Sequence, residues 1–204
     1  MQVSDSPLLQ ADWQATQTFE PGDPNENPWV QGRPGPELLE ISAYDTAWPQ
    51  TYLQLYRQIT KTMKNRALAV EHIGSTAVPY LPAKPVIDID LIVADPEDEA
   101  SYIPALQALG YVLTVRERSW YGHRMLRLQS PRVNLHVFGP ACPEHARHCL
   151  FRDWLREHED DRQRYAEAKL TAGQGEHSVI AYNEKKQAVL RDVYSRLFAA
   201  GPRP

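Results

Sequence analysis

The run "VIDIDLIV", Val86 to Val93, constrains the fold of this chain more than any other stretch. Its aliphatic and β-branched residues call for a buried strand, along which side chains alternate between two faces. Ile87, Ile89, Leu91 and Val93 therefore share one face, and Asp88 and Asp90 share the other, about 6.5–7 Å apart at strand rise. Two like charges inside a sheet are costly unless a cation, basic groups or water meets them. The rest of the chain must bring compensating groups to that face.

The 204 residues suffice for one ample domain with additions. With 42% hydrophobic and 24% charged residues, the composition is that of an ordinary globular protein. No apolar run approaches the length of a membrane span, so no membrane partner is expected. The opening "MQVSDSPLLQADWQ" lacks the basic start and apolar core of a secretory signal, which makes the cytoplasm the expected compartment. Net charge is −4, unevenly spread: residues 1–40 hold seven acids and one base, Arg33, leaving the remainder at +2. That surplus is too small for duplex DNA, which is not an expected partner. Cys142 and Cys149 flank "PEHARH". On a helix they lie about 10.5 Å apart along the axis, too far for a disulfide, and one helix cannot aim Cys142, His145, His148 and Cys149 at one zinc ion.

Residues 1–37 carry six prolines and no sustained period. They read as an acidic, proline-rich extension, laid over the domain or mobile, with Trp13, Phe19 and Trp29 as possible anchors. Residues 38–200 form the domain. "LLEISAY", Leu38 to Tyr44, reads as a short strand, and a helix over about 48–66 follows, capped by Asp45 or Thr46. "ALAVEHIG" reads as a strand ending at Gly74, and Pro79, Pro82 and Pro85 stiffen the link to strand 86–93. A helix stopped by Gly110 precedes three strands, "YVLTVRER", "HRMLRLQ" and "RVNLHVF". Helices over about 143–158, 160–171 and 178–199 complete an α/β (α+β) pattern: a mixed sheet flanked by helices, with a C-terminal helical layer.

The chemistry is concentrated between Gly74 and Asp90. Two carboxylates on one strand face offer hard oxygens suited to Mg²⁺. A Gly74-Ser75 turn, with Thr76 behind it, lets backbone N–H groups and hydroxyls approach phosphate oxygens. Together they suit metal-assisted nucleotidyl transfer from a nucleoside triphosphate. "GSTAVPYLPAK" is not a Walker loop, since no glycine precedes Lys84 and no Ser or Thr follows it, and neither a dinucleotide fingerprint nor a nucleophile elbow is present.

Gly-Ser followed by Asp-x-Asp resembles the signature of polymerase-beta-type nucleotidyltransferases. Several stretches make the chain more closely similar to the GrpB family: "YDTAWP" (44–49), "EHIGSTAVPYLPAKPVIDIDLIV" (71–93), "NLHVF" (134–138), "FRDWLREH" (151–158), and the pairs Tyr165/Lys169 and Tyr182/Lys185. The likeness covers about 41–200 and implies a nucleotidyltransferase-like fold. Where active members of the wider superfamily carry a third carboxylate, this chain has His136, on one face with Asn134 and Phe138. Histidine is a poor ligand for Mg²⁺; it would favour Mn²⁺ or Zn²⁺, act as a proton acceptor, mark a site that binds without turnover, or simply brace the sheet edge.

The expected site is thus Asp88, Asp90 and His136 for metal and chemistry. Gly74, Ser75, Thr76, Lys84, Lys169 and Lys185 are the candidates for nucleotide phosphates. For the lysines the alternative is ordinary solvated surface, and the strand arginines Arg116, Arg118, Arg124, Arg127 and Arg132 are read mostly as solvent-facing. Arg152 and Asp153 read as a structural ion pair. Two function classes stand: an enzyme using Mg²⁺ or Mn²⁺ to move a nucleotidyl group to a small or macromolecular acceptor, and a non-catalytic nucleotide-binding or partner-stabilising module. Fusions of GrpB-like domains to dephospho-CoA kinase give the second its basis.

Overall fold

A computed structural model describes residues 11–33, 35, 40–173 and 179–202, with the backbone alone for 179–184. The element order is α1 (Trp13–Gln17), α2 (Trp48–Met63), β1 (Ala69–Ile73), β2 (Ile87–Ile92), α3 (Glu99–Gln107), β3 (Val112–Glu117), β4 (His123–Leu128), β5 (Val133–Phe138), α4 (Pro143–Glu157), α5 (Glu159–Gly173) and α6 (Val179–Ala199). This is the expected mixed α/β architecture with a C-terminal helical layer.

The five strands form one sheet in the order β1-β2-β5-β4-β3. Only β2 and β5 run parallel; the other three pairings are antiparallel. The parallel pair sits near the middle, where both sheet faces are covered, and the "IDIDLI" strand is buried accordingly. Ile87, Ile89, Leu91 and Val93 enter the main core as their alternation requires. They meet Leu126, Leu135 and Val137 of the sheet and Leu55, Ile59, Met63, Tyr102 and Leu106 of α2 and α3. The opposite face receives α4, α5 and α6, with a second core of Val78, Leu81, Leu155, Tyr165 and Val193. Asp88 and Asp90 point into the space beneath that layer.

Helix α2 starts where the sequence suggests. The expected cap by Asp45 or Thr46 is not made: Ala47 is the N-cap and no side chain caps it. The Asp45 carboxylate accepts from the Ala47 N–H (2.8 Å) in the turn before the helix, and Pro49 occupies the first turn, where its missing N–H costs nothing. Of the expected strand over 38–44, residues 38 and 39 lie outside the described residues. Ser42 makes an isolated bridge to Ala83.

Residues 11–33 of the N-terminal extension are laid over the domain. Within it Asp12 caps the short helix α1, accepting from Gln14 N–H. Trp13 and Phe19 meet Phe198 and Tyr194 of α6 edge-on. Arg147 of α4, 1% exposed, donates to the carbonyls of Ala15, Thr16 and Thr18, and its guanidinium lies 4.9 Å from the Phe19 ring centre. Further on, Trp29 bridges Val115 at the free edge of β3, and Glu26 accepts from the N–H groups of Arg118 and Ser119. Composition gave no sign of this helix, because five residues held by tertiary contacts need no sequence period.

Candidate functional site

Strand register places the site residues in rows across the sheet. One row runs Ile73, Asp88, Asn134, Arg127; the next runs Glu71, Asp90, His136, Met125. His136 is therefore directly opposite Asp90, and Asn134 opposite Asp88, as the shared face of "NLHVF" implies.

Gly74 ends β1 with φ 70° and ψ −170°, a conformation open essentially to glycine alone. A Cβ there would stand 2.6 Å from Asp88 Oδ2, so the Gly-Ser turn is pressed against the first carboxylate. Ser75 and Thr76 continue in a 3₁₀ turn, Ser75–Ala77. The Thr76 hydroxyl is buried and hydrogen-bonded to His72 Nε2 (3.0 Å), and the Ser75 side chain is hydrogen-bonded to Tyr165.

The compensation demanded by the two aspartates is now visible, and it differs between them. Asp88 Oδ1 accepts from Asn134 Nδ2 at 2.9 Å. Burial pushes the Asp88 carboxyl up, opposed by that hydrogen bond and by the charges of His148 and Lys186. Asp90 is fully buried and is gripped by two imidazoles from α4, His145 Nδ1 at 2.8 Å and His148 Nδ1 at 2.9 Å. Burial alone would raise Asp90, but the His148 charge and both imidazole hydrogen bonds hold it well below the usual carboxylate range. His148 also faces Glu144, 3.4 Å away. Burial disfavours its charge, yet the two carboxylates push it up to about 10, so it is an imidazolium at neutral pH.

The sequence presents His145 and His148 only as members of a zinc set with the cysteines, not as partners of Asp90. Cys142 and Cys149 are free and buried. The usable signal was the i, i+3 histidine spacing on one helix face, opposite a strand known to need counter-charge.

A cleft of about 1240 Å³ opens beside this cluster. Its lining includes Gly74, Ser75, Thr76, Lys84, Asp88, His136, His148 and Lys169; Asp90 lies behind it, sealed by the histidines. Lys169 is buried, donates to the Pro82 carbonyl and lies 5.6 Å from the Tyr165 ring centre. Burial, with Lys186 and Lys84 nearby, brings it down to about 7. Lys185 is exposed and stands outside the lining, whereas its neighbour Lys186 lines the cleft. The expected i, i+3 partner Tyr182 lies outside the described side chains. The lining also holds Arg127 and Arg132 from the strand arginines, together with Arg33, Arg152 and Arg191. Arg152, 2% exposed, pairs with Asp153 (2.7 Å) as expected and also reaches Glu71 (3.0 Å) and the His72 carbonyl. Arg116 and Arg124 instead converge on Glu99.

His136 is brought down to about 3, first by burial and then by the neighbouring His123, which keeps it neutral. Its Nδ1 meets His123 Nε2 at 3.0 Å.

The donor set does not fit a magnesium ion as it stands. Asp90 is turned to imidazoles, one Asp88 oxygen is taken by Asn134, and an imidazolium occupies the space beside them. Mg²⁺ needs anionic oxygens and water in octahedral array. Among the described residues no group of three His, Cys, Asp or Glu side chains is arranged to hold a metal. No described helix is long and apolar enough to cross a membrane.

Comparison with known proteins agrees with the geometry. Residues 38–196 match the family model "GrpB protein". The chain is 39% identical over 165 residues to a UPF0157 protein of Halalkalibacterium halodurans, covering 80% of this chain and 85% of that one. It is 41% identical over 169 residues to a UPF0157 protein of Streptomyces coelicolor, covering 81% and 89%. A dephospho-CoA kinase of Mycolicibacterium paratuberculosis is 28% identical over 179 residues, covering 74% of this chain but only 44% of that one. Among solved structures, the conserved protein GrpB from Enterococcus faecalis superposes with a TM-score of 0.68 at 26% identity, over 80% of this chain and 100% of that one. A family match that begins at residue 38, relatives sharing most of their length and a common fold together place this chain in the GrpB family.

Proposed function

We propose that the cleft binds a nucleoside triphosphate and serves transfer of its nucleotidyl group to a hydroxyl-bearing acceptor. The observation that carries this reading is the charge of the lining. Eight lysine and arginine side chains (Arg33, Lys84, Arg127, Arg132, Arg152, Lys169, Lys186 and Arg191), with His148, line it against two carboxylates, Asp88 and Glu144, beside a Gly-Ser turn. In a chain with net charge −4, that concentration favours a polyanion. The polyphosphate lies along Gly74 and Ser75, within reach of Lys84, Lys169 and Lys186. In the transfer, the acceptor oxygen attacks the α-phosphorus, the bond to the β-phosphate breaks, pyrophosphate leaves and the hydroxyl proton passes to His136. The cations and the donors of the Gly-Ser turn offset the charge that develops. A divalent ion at Asp88 and Asp90 would require Asp90 to leave His145 and His148, and His136 would then serve as its third ligand in place of acting as base.

That requirement favours a second reading, a nucleotide-binding module without turnover. The partial match to a dephospho-CoA kinase supports a role beside another catalytic unit. Calorimetry with ATP, GTP, CTP and UTP, with and without Mg²⁺ or Mn²⁺, followed by a pyrophosphate-release assay, tests both. Triphosphate binding with pyrophosphate release upholds transfer. Tight binding without release leaves the module. No binding of any triphosphate sinks both.

A further inference from the structure

The cleft has a second end, away from the Gly-Ser turn. Of the large apolar side chains left exposed among the described residues, Phe19 alone lines the cleft, and it remains 53% exposed. Its position is nonetheless fixed. Tyr194 and Phe198 of α6 meet it edge-on, at 5.3 and 6.4 Å between ring centres, and the Arg147 guanidinium stands 4.9 Å from its own centre. An apolar ring held by three partners, yet half bare in the wall of a cleft, is a platform for another flat ring.

A row of aromatic side chains joins that ring to the Gly-Ser turn. Tyr194 stands 4.8 Å from Phe151, and Phe151 stands 5.3 Å from Tyr165, whose side chain is hydrogen-bonded to Ser75. All four rings line the cleft. The two ends of the row differ in charge. Lys169 lies beside Tyr165, with Lys84 and Lys186 nearby. Beside Phe19, the Arg147 charge is already matched by Glu144. Phosphate oxygens are therefore drawn to the lysine end, and the Phe19 end suits an uncharged planar group. Three ring-to-ring steps separate the ends, a length comparable with that of an extended nucleoside triphosphate.

We propose that Phe19 is the stacking platform for the nucleobase, setting the ligand with its base at the N-terminal extension and its phosphates at the lysines. Phe19 precedes residues 38–196, which match the family, so the extension adds a ligand contact to the cleft of the shared domain. This placement rests on the nucleotide reading above.

The test compares ATP with inorganic tripolyphosphate by calorimetry on the full chain. Phe19→Leu keeps an apolar side chain against Arg147 and α6 but removes the aromatic face. It should weaken ATP about tenfold and leave tripolyphosphate at the parent value. Phe19→Trp should hold ATP at least as tightly as the parent, and its added fluorescence should be quenched by ATP but not by tripolyphosphate. Equal losses of both probes in Phe19→Leu overturn the platform and make Phe19 a brace for the extension. If Phe19→Leu does not fold, Phe19→Trp decides alone, and fluorescence that ATP leaves unchanged overturns the inference. A parent that binds ATP no more tightly than Phe19→Leu does removes the platform only. A parent that binds neither probe removes the nucleotide reading and the platform with it.

Discussion

Replacing Gly74 with alanine tests how the turn and the first aspartate are joined. Two costs add. At φ 70° and ψ −170° a side chain strains the backbone, by about 1–3 kcal/mol. The new Cβ would also stand 2.6 Å from Asp88 Oδ2, 3.0 Å from its Cβ and 3.1 Å from its Cγ. The carboxylate has little room to retreat, because β2 is paired on both sides and Asn134 holds its other oxygen. Overpacking of that kind costs about 1–3 kcal/mol. A total of about 3 kcal/mol lowers the thermal midpoint of a chain this size by roughly 6–12 °C. Gly201→Ala is the control: φ is also positive (82°), but no atom lies within 4 Å of the added Cβ, so only a backbone cost of about 1 kcal/mol remains. Differential scanning calorimetry of both variants beside the parent measures the gap. If Gly74→Ala melts within about 2 °C of the parent, or no lower than Gly201→Ala, the contact with Asp88 does not constrain the turn and the reasoning fails.

Arg147→Ala should release residues 11–33 from α4 and leave Glu144 with His148 as its remaining charged partner, costing about 2–5 kcal/mol; a matching fall in melting temperature and new proteolysis within residues 11–33 would show it, and an unchanged digest would refute it. His148 has a folded pKa raised above its ordinary 6.5, to about 10, so its stabilisation is complete below 6.5 and fades as pH rises through 10. Asp90, held low, gives stability above about 3.8 that is lost in acid. Lys169, lowered to about 7, works the other way, becoming less unfavourable as pH rises from 7 to 10.5. The measurement is therefore the difference in melting temperature between parent and His148→Gln, which should shrink from pH 6.5 to 10; a flat difference would sink the ion-pair assignment. Lys186→Gln should weaken triphosphate binding about tenfold or more, as expected for loss of a charge-assisted phosphate contact, while Lys185→Gln leaves it near the parent value; calorimetric titration giving the reverse order would reassign the helix face.

Much of the architecture was legible because it is written in short periods. Alternation in "VIDIDLIV" and "RVNLHVF" assigns each side chain to a face without knowledge of partners, and the core follows from those faces. Helices α2 to α6 likewise announce themselves by apolar spacing and by the prolines and glycines around them. The two aspartates are readable for a related reason, since an expensive feature in an apolar strand demands a purpose, whereas His136 is singled out by the resemblance to nucleotidyltransferases.

What completes the site depends on distances that no local pattern encodes. Lys185 and Lys186 are adjacent in sequence, but one helix step turns them about 100° apart, and only the packing of α6 shows which meets the cleft. His145 and His148 lie 55 and 58 residues beyond Asp90, and only the docking of α4 on the sheet brings them to its carboxylate. The same is true of the extension, whose carbonyls are held by one arginine 129 to 132 residues away. The sequence by itself determined that two buried carboxylates must be compensated, since burial cost depends only on the strand that carries them. The tertiary structure decided how: Asn134 and Lys186 near Asp88, two histidines for Asp90. That division follows from physics, because desolvation is a property of the place a residue occupies, whereas an ion pair is a property of two places brought together.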